Sequence, residues 1–199
     1  MPVRRTVSSW SALLPLLAVA VVLAACGRRD APPDPAALVA DLTSADDNKS
    51  GDARLALISL GEAASPALVN LLQNGAPRER VLAATTLWGM GARASSAVAA
   101  LAAALADADP ELRVACAMAL ENMGPAARAA APALAAALDD PERPVRQAAV
   151  KALGAIGPAA SPALPALEAA IQRESWPEAE EAVRRIHGGG GPARPAVDE

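Results

Sequence analysis

A short pattern returns along this chain every 33 residues: Leu87-Trp88-Gly89-Met90-Gly91, Leu120-Glu121-Asn122-Met123-Gly124 and Leu153-Gly154-Ala155-Ile156-Gly157. A fourth copy, Leu57-Ile58-Ser59-Leu60-Gly61, lies 30 residues ahead of the first of these. A period of this length predicts a solenoid, in which each unit buries its apolar face only against its neighbours. Such an array displays surface rather than enclosing a pocket. Binding is therefore the first function class to consider.

Composition points the same way. Apolar residues make up 53% of the chain but aromatics only 2%, and alanine supplies the difference. Alanine has the highest helix propensity and lets helices approach closely, which favours an all-α protein of tightly paired helices. The 13 glycines and 18 prolines break that helix potential into many short elements.

Residues 1–25 read as an export leader. Arg4 and Arg5 precede an apolar run from Ala12 to Val22, followed by Leu23-Ala24-Ala25-Cys26. Roughly 14 apolar residues fall short of the ~20 that a permanent membrane helix needs. Small residues before a cysteine resemble the lipobox of bacterial lipoproteins. That resemblance implies thioether lipidation of Cys26, cleavage before it and acylation of the new N-terminus, with several acyl chains giving a stable membrane anchor. Gly27, rather than Asp, implies transfer to the outer membrane, facing the periplasm, where the cell has two membranes. If Cys26 carries lipid, Cys116 is the only remaining thiol and no intramolecular disulfide can form. Cys116 shares a register with Ala83 and Ala149, which predicts a small buried side chain.

Residues 26–34 read as a proline-stiffened tether. The repeat domain is expected over 35–187, opening with a helix at 35–42 that is half a unit and carries Asp34 as its N-cap. Arg80, Arg113 and Arg146 share one register, as do Leu101, Leu134 and Leu167. Each unit reads as helix A, a tight glycine turn and helix B. In one unit, helix A is expected at 112–122 and helix B at 128–138, with Gly124 as a left-handed C-cap. A last, more polar helix at 176–187 looks like a terminal cap, and the Gly/Pro tail 188–199 is expected to be unstructured.

The residues Asp140-Pro141, Val145-Arg146, Ala148-Ala149, Ala152-Leu153-Gly154, Ile156-Gly157, Pro162 and Leu167 make the pattern similar to the short bacterial HEAT repeats, also called PBS-lyase HEAT-like repeats. The resemblance covers roughly residues 50–173. It implies a right-handed α-solenoid of about four helical hairpins with half-repeat caps. Helix A would be convex, helix B concave, and the role one of scaffolding or protein binding.

Catalytic and metal chemistry need clusters that this sequence lacks. His187 is the only histidine, so the paired His and Glu ligands of the HEAT-like deoxyhypusine hydroxylases are missing. No phosphate loop, nucleophile elbow or metal-spaced cysteine set occurs. No catalytic residue, metal, cofactor or small-molecule substrate is therefore expected. Of the 18 basic residues, Arg4 and Arg5 leave with the leader; the remaining 16 against 22 acidic residues give a net charge of −6, which argues against nucleic acid. Arg80, Arg113 and Arg146 lie near Asp107, Asp109, Asp139 and Asp140 in the inter-repeat loops. They are expected to form an Arg–Asp ladder between repeats, above all through Asp107 and Asp140. Exposed pairs of this kind are worth ~0.2–1 kcal/mol each, so the ladder is expected to set register more than stability.

The alanines of helices B give a nearly blank surface, suited either to close packing or to docking by shape. Trp88, Glu121 and Arg128 are the candidate partner-binding residues, Trp88 because tryptophan is enriched at binding hot spots. Trp176 is expected to shield the C-terminal end of the core. The chain reads as a monomeric, lipid-anchored, non-enzymatic interaction module of the bacterial envelope with a protein partner. The alternatives are an accessory subunit that positions or regulates an envelope enzyme or transport complex, and, remotely, a PBS-lyase-like enzyme.

Overall fold

The computed structural model describes residues 33–173 and 176–188. Cys26, the leader, most of the tether and the tail from residue 189 lie outside the described residues. Among the described residues the α-helices are α1 Pro35–Leu42, α2 Asp47–Leu60, α3 Ser65–Asn74, α4 Pro77–Met90, α5 Val98–Ala104, α6 Pro110–Met123, α7 Ala131–Ala136, α8 Arg143–Ile156, α9 Leu164–Arg173 and α10 Pro177–Ile186. No strand occurs among the described residues. The pairs α2/α3, α4/α5, α6/α7 and α8/α9 are four joined hairpins, with α1 and α10 as the half-units at either end. The fold is an α-solenoid, as the period predicts.

The helices start where the sequence supplies caps. The Asp46 carboxylate accepts from the backbone N–H of Asn48 and Lys49 at 3.0 and 3.4 Å, and Asp109 accepts from Glu111 at 2.9 Å. Each donor is one that a helix's first turn leaves unsatisfied. Pro77, Pro110 and Pro177 open α4, α6 and α10, where a missing N–H costs nothing.

Helices A end differently from expectation. Gly61, Gly91, Gly124 and Gly157 have φ of 58, 56, 56 and 70° with ψ of −132, −139, −131 and −143°. These are not the left-handed helical C-caps that the glycines imply (ψ would be near +47°) but the first central position of a type II′ turn. The chain then runs straight into a 3₁₀ segment instead of a tight turn. Consequently the B helix expected at 128–138 begins as 3₁₀ over Gly124–Ala130 and is α-helical only from Ala131. The first such segment, Gly61–Ala64, has four residues, whereas Gly91–Ala97, Gly124–Ala130 and Gly157–Ala163 have seven. This is where the 30-residue spacing arises: Leu68, after the short segment, is back in 33-residue register with Leu101 and Leu134.

The core is a stack of leucine layers. Leu57, Leu87, Leu120 and Leu153 from helices A are fully buried, and so are Leu68, Leu101, Leu134 and Leu167 from helices B. Burying one leucine contributes roughly 1.5–3 kcal/mol. Residues Asp47–Asn74 are together long and apolar enough to cross a bilayer. Gly61 nevertheless folds them into a hairpin whose Leu57, Leu68 and Leu72 belong to this core. Cys116, Ala83 and Ala149 are fully buried in one register, and burial pushes the Cys116 thiol up to about 12. The thiol is therefore inert near neutral pH. Trp176 is buried, beside Leu138 and Ala170.

Candidate functional site

The Arg–Asp ladder exists, with a 27-residue step. Arg80 Nη2 donates to Asp107 Oδ2 at 2.6 Å. Arg113 makes a two-pronged contact with Asp140, Nε to Oδ2 at 2.7 Å and Nη2 to Oδ1 at 2.9 Å. Each arginine also reaches backbone at its own repeat boundary. Arg113 Nη1 donates to the carbonyls of Asp107 and Ala108, and Arg146 Nη1 to those of Asp140 and Pro141. Position 173, one 27-residue step beyond Arg146, is Arg173, which pairs with Asp139. Asp109 is a helix cap and not a rung.

The expectation of exposed, weak pairs fails for the second rung. The side chains of Arg113 and Asp140 are only 10% and 8% exposed. Burial alone would raise the Asp140 carboxyl. The hydrogen bonds from Arg113 and from the Glu142 N–H outweigh it and hold the carboxyl below its ordinary value. Asp107 is likewise held low, chiefly by the Asp109 N–H and then by Arg80. The ladder joins repeat to repeat.

The candidate surface lies elsewhere, on the exposed side of the A helices. Leu55 on α2, Trp88 on α4 and Met118 on α6 are 63%, 47% and 43% exposed, the large apolar side chains left outside the core among the described residues. A groove lies beside Trp88 and Met118, lined also by Arg54, Val81, Thr85, Glu111 and Val114; Leu55 does not line it. Leu55, Thr85 and Met118 each lie six residues before their turn glycine, and Trp88 lies three before its own. One stripe of every A helix thus faces solvent. The Asn122 side chain donates to the Trp88 carbonyl at 2.6 Å, tying α6 to the end of α4 beside the groove.

The three candidate partner-binding residues are not brought together. Trp88 walls the groove just described. Glu121 lines the next groove along the same face, with Val150, Lys151, Gly154, Glu178 and Arg185. Arg128 is exposed on a 3₁₀ segment and lines neither. Gly154, at the register position of Trp88, is closed off by α10: a Cβ there would stand 3.2 Å from Ala182. The alanine surface of helices B is divided: Ala99, Ala103, Ala129, Ala136 and Ala169 are exposed, while Ala130 and Ala170 are buried packing residues.

Leu55, Met118, Arg54 and Glu111 were not foreseen. The signal available in the sequence is an apolar residue off the buried stripe, six positions before the turn glycine. Alone, such a residue is unremarkable, since single apolar side chains are common on surfaces. No group of three or more His, Cys, Asp or Glu that could hold a metal occurs among the described residues.

A family model described as HEAT repeats matches residues 65–145 and 98–186. Among solved structures, the complex of CpcE and CpcF of phycocyanin lyase from Nostoc sp. PCC7120 superposes with a TM-score of 0.59. It is 22% identical, with 77% of this chain and 97% of that one covered. A designed armadillo repeat protein in complex with peptide (KR)4 superposes at 0.57, with 20% identity over 77% of this chain and 80% of the other. An engineered protein superposes at 0.54, with 23% identity over 88% and 85%. A search of curated proteins finds no match. At these identities the structural likenesses establish the fold alone.

Proposed function

The chain belongs to the HEAT-repeat family, and we propose that it is a non-enzymatic protein-docking module, held on a bacterial envelope membrane by lipid at Cys26. The observation that carries the docking half is the groove walled by the exposed Trp88 and Met118 on two successive A helices. A leucine core gives no folding reason to leave two such side chains in water beside one groove, and exposed apolar surface of this kind marks interaction sites. Two of the similar structures are themselves assemblies, one of two protein chains and one with a peptide, which agrees with a protein partner. The anchoring half rests on the order of Arg4-Arg5, the apolar run and Leu23-Ala24-Ala25-Cys26. Gly27 favours the outer membrane, facing the periplasm, in a cell with two membranes.

A second reading keeps the protein partner but makes it an enzyme or transporter, with this chain as its accessory subunit. In that case the partner's activity changes when the module binds.

One experiment tests both halves. Full-length wild type, Cys26→Ala, Trp88→Ala and Ala136→Ser chains are expressed in a bacterial host and recovered from membranes with their bound proteins. Wild type should carry the acyl mass, and Cys26→Ala should lose it and leave the membrane. Trp88→Ala should weaken partner capture by about 30-fold, the ~2 kcal/mol of a tryptophan hot spot, while Ala136→Ser leaves it unchanged. Unprocessed, unacylated wild type overturns the anchor. Loss of capture on Ala136→Ser but not on Trp88→Ala would move the site to the B helices.

A further inference from the structure

No further inference is drawn: the strongest candidate, the cavity beside the buried Trp176 at the α9–α10 end of the array, carries nothing because the Asp139 and Asp140 carboxylates in its wall are already matched by Arg173 and Arg113, and nothing in the structure shows what would meet the unpartnered indole N–H.

Discussion

Asp140→Ala should destabilise the array by about 3–5 kcal/mol, a large share of the 5–15 kcal/mol that holds a typical domain folded. The reason is the charge left behind, not the pair itself. Arg113 is nearly buried, and two of its N–H groups point at Asp140; with the carboxylate gone they face no acceptor in a site with little access to water. Only the bonds from Arg113 Nη1 to the carbonyls of Asp107 and Ala108 remain. Replacing both partners, as in Arg113→Met with Asp140→Leu, should cost far less, since a buried ion pair and a well-packed apolar pair are close in free energy. Urea denaturation of the single and double variants checks this. A single substitution no worse than the double would show that the rung is hydrated.

The same rung gives the protein an acid limit. The folded-state pKa of Asp140 is depressed by Arg113 and the Glu142 N–H against the opposing effect of burial, and that of Asp107 by the Asp109 N–H and Arg80. A depressed carboxyl contributes its full stability above the unfolded value of about 4, and loses it as pH falls through the folded value. Stability measured by urea should therefore hold from pH 7 to about 5 and fall below about 4. Asp140→Asn should be less stable at neutral pH and show a shallower fall in acid.

Gly124→Val should cost about 3 kcal/mol by a different route. No atom stands in the way of a Cβ at Gly124; the nearest is the Ala155 carbonyl oxygen at 3.6 Å, an ordinary contact. The penalty is torsional, because φ of 56° with ψ of −131° is strained for any L side chain and worst for a branched one. Gly51→Ala is the internal contrast. Gly51 lies inside α2 with open space around it and no positive φ, so alanine there should stabilise by about 0.5–1 kcal/mol. Shifts of opposite sign in the urea midpoint are the expected outcome. A Gly124→Val protein as stable as wild type would mean that the II′ turn is not needed to reverse the chain.

How far the sequence could be read depended on the range of each interaction. The turn glycines, the caps at Asp46 and Asp109 and the apolar stripes act within a few residues, so the hairpins and their order were legible. The partners in the ladder were legible too, since the repeat places Asp107 and Asp140 beside the arginines of the preceding helix. The torsion at the glycines was not, because αL and II′ turns both select glycine. The site was half legible: Trp88 stood out by its type, whereas Met118 looked like any other apolar residue in an alanine-rich helix. Arg128 stood out by its charge and belongs to neither groove.

By itself, then, the 33-residue period determined that this chain stacks short helical hairpins, and where each one turns, because those choices are made by local torsions and helix periodicity. Only the tertiary structure decided that the Arg113–Asp140 rung is buried, and that Trp88 and Met118 line one groove with Arg54 and Glu111. Both outcomes depend on how far each A helix is rotated against the next. That rotation is set by packing between residues about 30 positions apart, down to the lack of a side chain at Gly154, which lets α10 close over the position that Trp88 leaves open.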